Sequence, residues 1–189
     1  MSLSLADRQY LLKLARETIA RHLRGKGPPP IDLDALPESL TRDGACFVTL
    51  TKHDGQLRGC IGSLEARRPL VLDVLENGLG AAFHDPRFPS VHPGELDDLH
   101  VEISVLSIPQ PLSYDGPDDL TTKLRPGMDG VVIERGWNRA TFLPQVWEKL
   151  PEPHQFLQHL CLKAFLPGDA YRHPGLDVYT YQVEKFEEE

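Results

Sequence analysis

Three cysteines in 189 residues are too few and too scattered for a disulfide framework: Cys46, Cys60 and Cys161 form an odd set without a Cys-x-x-Cys pair, which also argues against a zinc knuckle. Apolar runs are short. None approaches the roughly 18 residues that span a bilayer, and the opening MSLSLADRQY lacks the basic start and apolar stretch of a signal peptide, so the expectation is a cytoplasmic protein with no membrane partner. Positive charge is also in the minority. With 20 Lys and Arg against 28 Asp and Glu, the formal net charge is -8, and no block of five basic residues occurs, which works against counterion-release binding of nucleic acid. Several motifs are missing: there is no Gly-x-Gly-x-x-Gly in a strand-to-helix context, no Walker lysine and no Gly-x-Ser-x-Gly elbow. His84, His92 and His100 are spaced by eights, unlike a His-Glu-x-x-His helix or a short zinc pair, so neither a metal nor a cofactor is expected.

What remains is an ordinary globular composition, 40% hydrophobic and 25% charged, at a length that suits one domain over residues 1–189. Ser4 with Asp7 forms a capping box ahead of Leu12, Ala15, Ile19 and Leu23, and Gly25 ends that first helix. The stretch GKGPPP (25–30) reads as an extended connector. Two β-leaning runs, ACFVTLTK (45–52) and QLRGCIGS (56–63), flank Asp54-Gly55, the strongest short hairpin signal. RPLVLDVLENGLGAAF (68–83) predicts a second helix weakened by Gly78 and Gly80. HVEISVLS (100–107) alternates as a strand with one apolar face, and GVVIERGWNRATFL (130–143) predicts two strands around Arg135-Gly136. HQFLQHLCLKAFL (154–166) has helical spacing, and DVYTYQVEKF reads as one closing strand. This order breaks βαβ alternation and predicts an α+β fold, a largely antiparallel sheet flanked by helices.

A two-residue turn at Asp54-Gly55 pairs Arg58 with Thr51, Cys60 with Thr49 and Gly62 with Phe47, so Arg58 and Cys60 share one sheet face. On that face the guanidinium could favour a Cys60 thiolate or offer donors to an anion. Gly59 and Gly62 would admit a ligand or another backbone at close range, and a simple bulge explains them equally. Cys60 itself reads either as a nucleophile or as a small buried hydrophobe. The proline-stiffened loop HDPRFPSVHPGE (84–95) gathers His84, Asp85, Arg87 and His92, as a binding wall or as solvated turn residues. Glu102 points away from Val101 and Ile103, into solvent or into a cleft near Arg58.

The motif LRGCIG (57–62), followed in order by AAFHDPRF, ELDDLHVEISVLS, GVVIERGWNRATFLPQV and FLQHLCLKAFL, resembles the AMME-syndrome candidate protein family, the protein A component of the AmmeMemoRadiSam system. The resemblance implies an intracellular α+β domain with a larger and a smaller lobe, no assigned reaction, and by analogy a Memo-like or radical SAM protein as companion. At KAFLPGDA the chain departs from the family, which more often has a glycine after the lysine-alanine pair.

Two functions follow. The first is a binding module in which Arg58, Gly59, Gly62, Asp85 and Arg87 line a cleft for a small anionic ligand or a protein segment. The alternative is an enzyme in which Cys60 attacks or shuttles protons with His84 or Glu102 as base, leaving enzymatic status open. The binding module asks less of the residues, because it needs no activated nucleophile.

Overall fold

The computed structural model describes residues 3–189, which divide into two compact units: residues up to Leu106 together with Glu184–Glu189, and Ser107–Val183. In the first unit, α1 (Leu5–Leu23) opens on the predicted capping box, Ser4 Oγ accepting the Asp7 N–H while Asp7 accepts the Ser4 N–H. Such a cap is worth about 1 kcal/mol. The helix stops at Gly25, whose φ of +67° suits the residue without a Cβ. After the connector and a short helix α2 (Glu38–Thr41) come β1 (Asp43–Lys52), β2 (Leu57–Gly62), the two-residue β3 (Arg68–Pro69), α3 (Leu70–Leu79) and β4 (Leu99–Leu106). Pro69 stands just ahead of α3 as its N-cap.

The second unit holds β5 (Gln110–Pro111), α4 (Pro117–Lys123), β6 (Gly130–Arg135), β7 (Asn138–Phe142), α5 (Pro153–Lys163) and β8 (Asp177–Tyr181). Its sheet runs in the order β5-β8-β6-β7 and is antiparallel throughout. The chain then returns to the first unit as β9 (Val183–Glu187), giving the order β2-β1-β4-β9 with β3 on β1. DVYTYQVEKF is therefore two strands, not one. The break falls at Gln182, whose N–H donates to Ser107 Oγ and whose carbonyl accepts the Ser107 N–H, contacts that no local pattern reveals. The two-lobed α+β architecture is as the resemblance implies.

In the first unit, α1 and α3 cover one sheet face, with Leu11, Ala15, Ile19, Val71 and Val74 in one buried cluster with Val48, Leu50, Val101 and Ile103. Each fully buried aliphatic side chain there contributes about 1.5–3 kcal/mol. Gly78, which weakens α3 by propensity, faces Ala15 of α1, whose nearest atom lies 3.8 Å from where its Cβ would be, an ordinary contact that does not itself require glycine. Past the end of β2 the Cys46 carbonyl still accepts the Ser63 N–H at 2.9 Å, and side chains of α3 add further partners. Asp73 accepts the Cys46 N–H at 2.9 Å, Asn77 Nδ2 donates to the Cys46 carbonyl at 3.1 Å, and Ser63 Oγ donates to Asp73 at 2.8 Å. Burial pushes the Cys46 thiol well above its ordinary pKa.

In the second unit, α5 lays Phe156, Leu157, Leu160 and Cys161 against Val131, Ile133, Ala140 and Val178. Trp147 stacks on Phe156 at 3.7 Å and donates its indole N–H to the Asp129 carbonyl. At the departure from the family pattern, the helix closes with Leu166 N–H on the Cys161 carbonyl, and Phe165 occupies the left-handed position with φ +59°. Glycine would fit there without strain.

Candidate functional site

The hairpin forms at Asp54-Gly55, but by a different route from the two-residue turn. Lys52 N–H bonds to the Gln56 carbonyl, leaving a three-residue loop, His53 to Gly55, with Gly55 at φ +82°. That shifts the pairing by one, and a bulge at Arg58 shifts it back. Thr49↔Cys60, Leu50↔Gly59 and Phe47↔Gly62 consequently pair as expected, whereas Thr51 faces Leu57 and Arg58 is the extra residue. The expected Arg58–Thr51 pair is therefore absent.

Arg58 leaves Cys60 and goes to Glu95. Its Nε and Nη2 donate to the two Glu95 carboxylate oxygens at 2.8 and 3.1 Å, and the residue is 5% exposed. Nη1 is buried with no hydrogen-bond partner among the described residues. Glu95 also takes the His92 N–H at 2.9 Å, at the start of the turn Pro93–Asp98. The Arg58 guanidinium, helped by that N–H, holds the Glu95 carboxyl down at about 2, against an ordinary 4.5.

The cation at Cys60 is instead Arg87. Asp85, itself buried, accepts the Cys60 N–H at 2.8 Å, and Arg87 Nη2 donates to the Cys60 carbonyl at 3.2 Å while Nε and Nη2 hold Asp85. Two side chains thus complete the outer edge of β2 at Cys60, as Asp73 and Asn77 do at Cys46. The Arg87 guanidinium, with the Cys60 and Arg87 backbone N–H groups, holds the Asp85 carboxyl far below the usual carboxylate range. Asp85 in turn raises Arg87, and the nearby Cys60 adds to that rise.

The Cys60 thiol is half-buried and lies 3.3 Å from Thr49 Oγ1. Thr49 also pairs with Glu102 across β1 and β4, so Cys60, Thr49 and Glu102 make one row on the sheet face away from the helices. Glu102 and Arg58 take different partners. The Glu102 carboxylate engages Lys185 Nζ at 2.6 Å. His84 is exposed at the end of the π-turn Gly80–His84. A concavity of about 600 Å³ lies wholly in the second unit, between segments 111–117 and 171–179, and shares no residue with this cluster.

Residues 12–186 match the AMMECR1 family. The chain belongs to the AMMECR1 family. A protein of Methanothermobacter thermautotrophicus is 43% identical over 188 residues, covering 99% of this chain and 97% of that one. Protein MK0488 of Methanopyrus kandleri is 37% identical, over 99% and 91% of the two chains. The crystal structure of uncharacterized protein PH0010 from Pyrococcus horikoshii superposes with a TM-score of 0.77 at 35% identity, covering 96% of this chain and 91% of that chain.

Within this AMMECR1 chain, the motif glycines serve close packing, Gly59 against backbone and Gly62 against an aromatic ring. A Cβ on Gly59 would sit 2.0 Å from the Ala81 carbonyl oxygen, and one on Gly62 would sit 2.3 Å from the Phe47 ring. Of the two readings of Gly59, close approach by another chain segment is the one that fits. Asp73 and Asn77 escaped the sequence reading, although a signal existed: an acid and an amide four apart on the otherwise apolar face of a helix. No helix among the described residues is long and apolar enough to cross a membrane, and no group of three or more His, Cys, Asp or Glu is placed to hold a metal ion.

The lowered Glu95 gives an acid signature. A carboxyl whose folded value is depressed stabilises the fold above its unfolded value near 4.5 and loses that contribution as pH falls toward about 2. Urea midpoints followed from pH 5 to 2 should fall less steeply for Glu95→Gln than for the parent chain. Parallel curves would show that the Arg58–Glu95 pair does not contribute to stability.

Proposed function

We propose that the chain is a binding module for a small anionic ligand held at the edge of β2, with the guanidinium groups of Arg58 and Arg87 as its anion contacts and Cys60 with Thr49 as polar neighbours. The observation that carries this reading is the unpartnered, buried Nη1 of Arg58. Leaving such a donor unpaired costs about 1–3 kcal/mol, a cost that a carboxylate or phosphate oxygen would recover if local opening of the covering segment let it reach the nitrogen. Arg87 is the accessible second contact: its side chain is half exposed while its position is fixed through Asp85.

The alternative, Cys60 as nucleophile or proton shuttle, is less well supported. The group against its sulfur is a hydroxyl, and Glu102 is engaged by Lys185. A reducing, cytoplasmic setting suits the three unpaired thiols, and the family analogy offers a Memo-like or radical SAM protein as the source or consumer of the ligand.

Arg58→Ala is a poor test, because it would strand the Glu95 carboxylate and weaken the fold. Arg87→Gln keeps a donor for the Cys60 carbonyl and removes the cation. Inorganic phosphate at 50 mM, at constant ionic strength, should raise the parent Tm by about 2–5 °C and the Arg87→Gln Tm by under 1 °C. Equal shifts in both chains, or none in either with phosphate, citrate and malate, would remove the anion site.

A further inference from the structure

Two large aromatic side chains of the second unit stand in solvent. Trp137, at the β6–β7 turn, is 102% exposed, and Phe165, just past α5, is 92% exposed. They belong to one surface. Asn138, next to Trp137, donates its amide to the Ala164 carbonyl at 2.7 Å and reaches the Phe165 carbonyl at 3.4 Å, while Lys163 Nζ donates to the Thr141 carbonyl at 2.9 Å. Leu162 on α5, three residues before Phe165, is a third exposed apolar side chain, at 53%. The display is also strained, because a phenylalanine holds φ +59° where glycine or asparagine would be relaxed. Backbone outliers of this kind persist where the surroundings impose them and cluster at binding surfaces.

The charges around the patch identify its occupant. Segments 135–139 and 159–166 carry Arg135, Arg139 and Lys163 and no acid, in a chain whose formal net charge is -8. Arg135 donates to the carbonyls of Ala170, His173, Pro174 and Gly175, so its charge faces no carboxylate in those bonds, whereas Arg139 is partly offset by Glu134 at 3.7 Å. A second copy would set cation against cation, and three apolar side chains fall well short of the roughly 800 Å² per partner of a standard interface. A fluid bilayer gains nothing from a hairpin tip stitched to a helix end, whereas a shaped partner does, since fixed geometry lowers the entropy cost of docking. Exposed tryptophan with arginine nearby is also the composition of interface hot spots.

We infer that the Trp137–Phe165 surface docks an acidic segment of another polypeptide that carries an apolar anchor residue. The test uses the full chain panned against a phage-displayed library of random twelve-residue peptides. Enriched peptides should be rich in Asp and Glu around a large apolar residue, and a synthetic copy should bind at least tenfold more weakly to Trp137→Ala. Phe165→Gly separates display from folding: it should raise Tm by relieving the left-handed strain and still weaken peptide binding at least tenfold. Enrichment of basic peptides, or no enrichment, overturns the inference, as does equal binding by the variants. Trp137-dependent sedimentation with phosphatidylserine vesicles, or Trp137-dependent self-association, would overturn it in favour of a lipid or a second copy.

Discussion

Gly59→Ala should destabilise the first unit by about 3 kcal/mol or more, although it adds a single methyl group. The new Cβ would lie 2.0 Å from the Ala81 oxygen and 3.0 Å from its carbonyl carbon. Both are backbone atoms, so no side-chain rotation relieves the overlap. Relief requires moving the π-turn Gly80–His84 away from β2, and that turn leads directly into Asp85, which holds the Cys60 N–H. The substitution therefore carries a steric cost and loosens the edge of the strand it sits in. Gly94→Ala is the control, because nothing lies within 4 Å of its Cβ position and its φ is ordinary. Urea unfolding should show Gly94→Ala within about 0.5 kcal/mol of the parent. A Gly59→Ala midpoint equal to that of Gly94→Ala would mean that Ala81 does not pack on β2, and the packing account of the motif glycine would fail.

Much of the first unit is legible locally. The Ser4–Asp7 capping box, the Asp54-Gly55 signal and the alternation of Val101, Ile103 and Val105 depend on residues a few positions apart, and each appears in the fold. The pairing Thr49↔Cys60 also follows from the sequence, although by two offsets that cancel. The destination of each charged side chain is not legible. Arg58 and Cys60 lie two residues apart, yet Arg58 turns to Glu95, 37 residues on, while Arg87, 27 residues on, takes the place beside Cys60. A bulge redirected the side chain, and periodicity carries no term for a bulge whose partner is distant. Asp85 and Arg87 were visible as a pair in a stiff loop, but their target, the backbone of an edge strand, exists only after the sheet forms. The same limit explains Gln182, where a continuous strand-like run concealed a change of sheet marked by the contact with Ser107.

Cys60 should be the one thiol of the native chain that reacts promptly with a neutral alkylating reagent. Cys46 and Cys161 are fully buried, and reagent reaches them only through opening of the structure. For opening free energies of about 5 kcal/mol the population of the open form is on the order of 10⁻⁴, so their labelling should lag by a factor of about 10³ or more. Cys60 is half-buried on a sheet face that the helices leave uncovered, with its sulfur against a hydroxyl instead of a packed apolar wall. Iodoacetamide followed by peptide mass mapping should therefore find one modified cysteine under native conditions and three in urea. The site then divides the two functional readings. If the chain binds and does not react, Cys60→Ser should keep the phosphate-dependent rise in Tm, because Arg58 and Arg87 supply the anion contacts and the hydroxyl preserves the contact with Thr49. If the phosphate response survives only with the thiol, sulfur chemistry is part of the site. A native Cys60 that resists the reagent as strongly as Cys46 would remove it from any ligand's reach, leaving Arg87 as the accessible contact of the anion site.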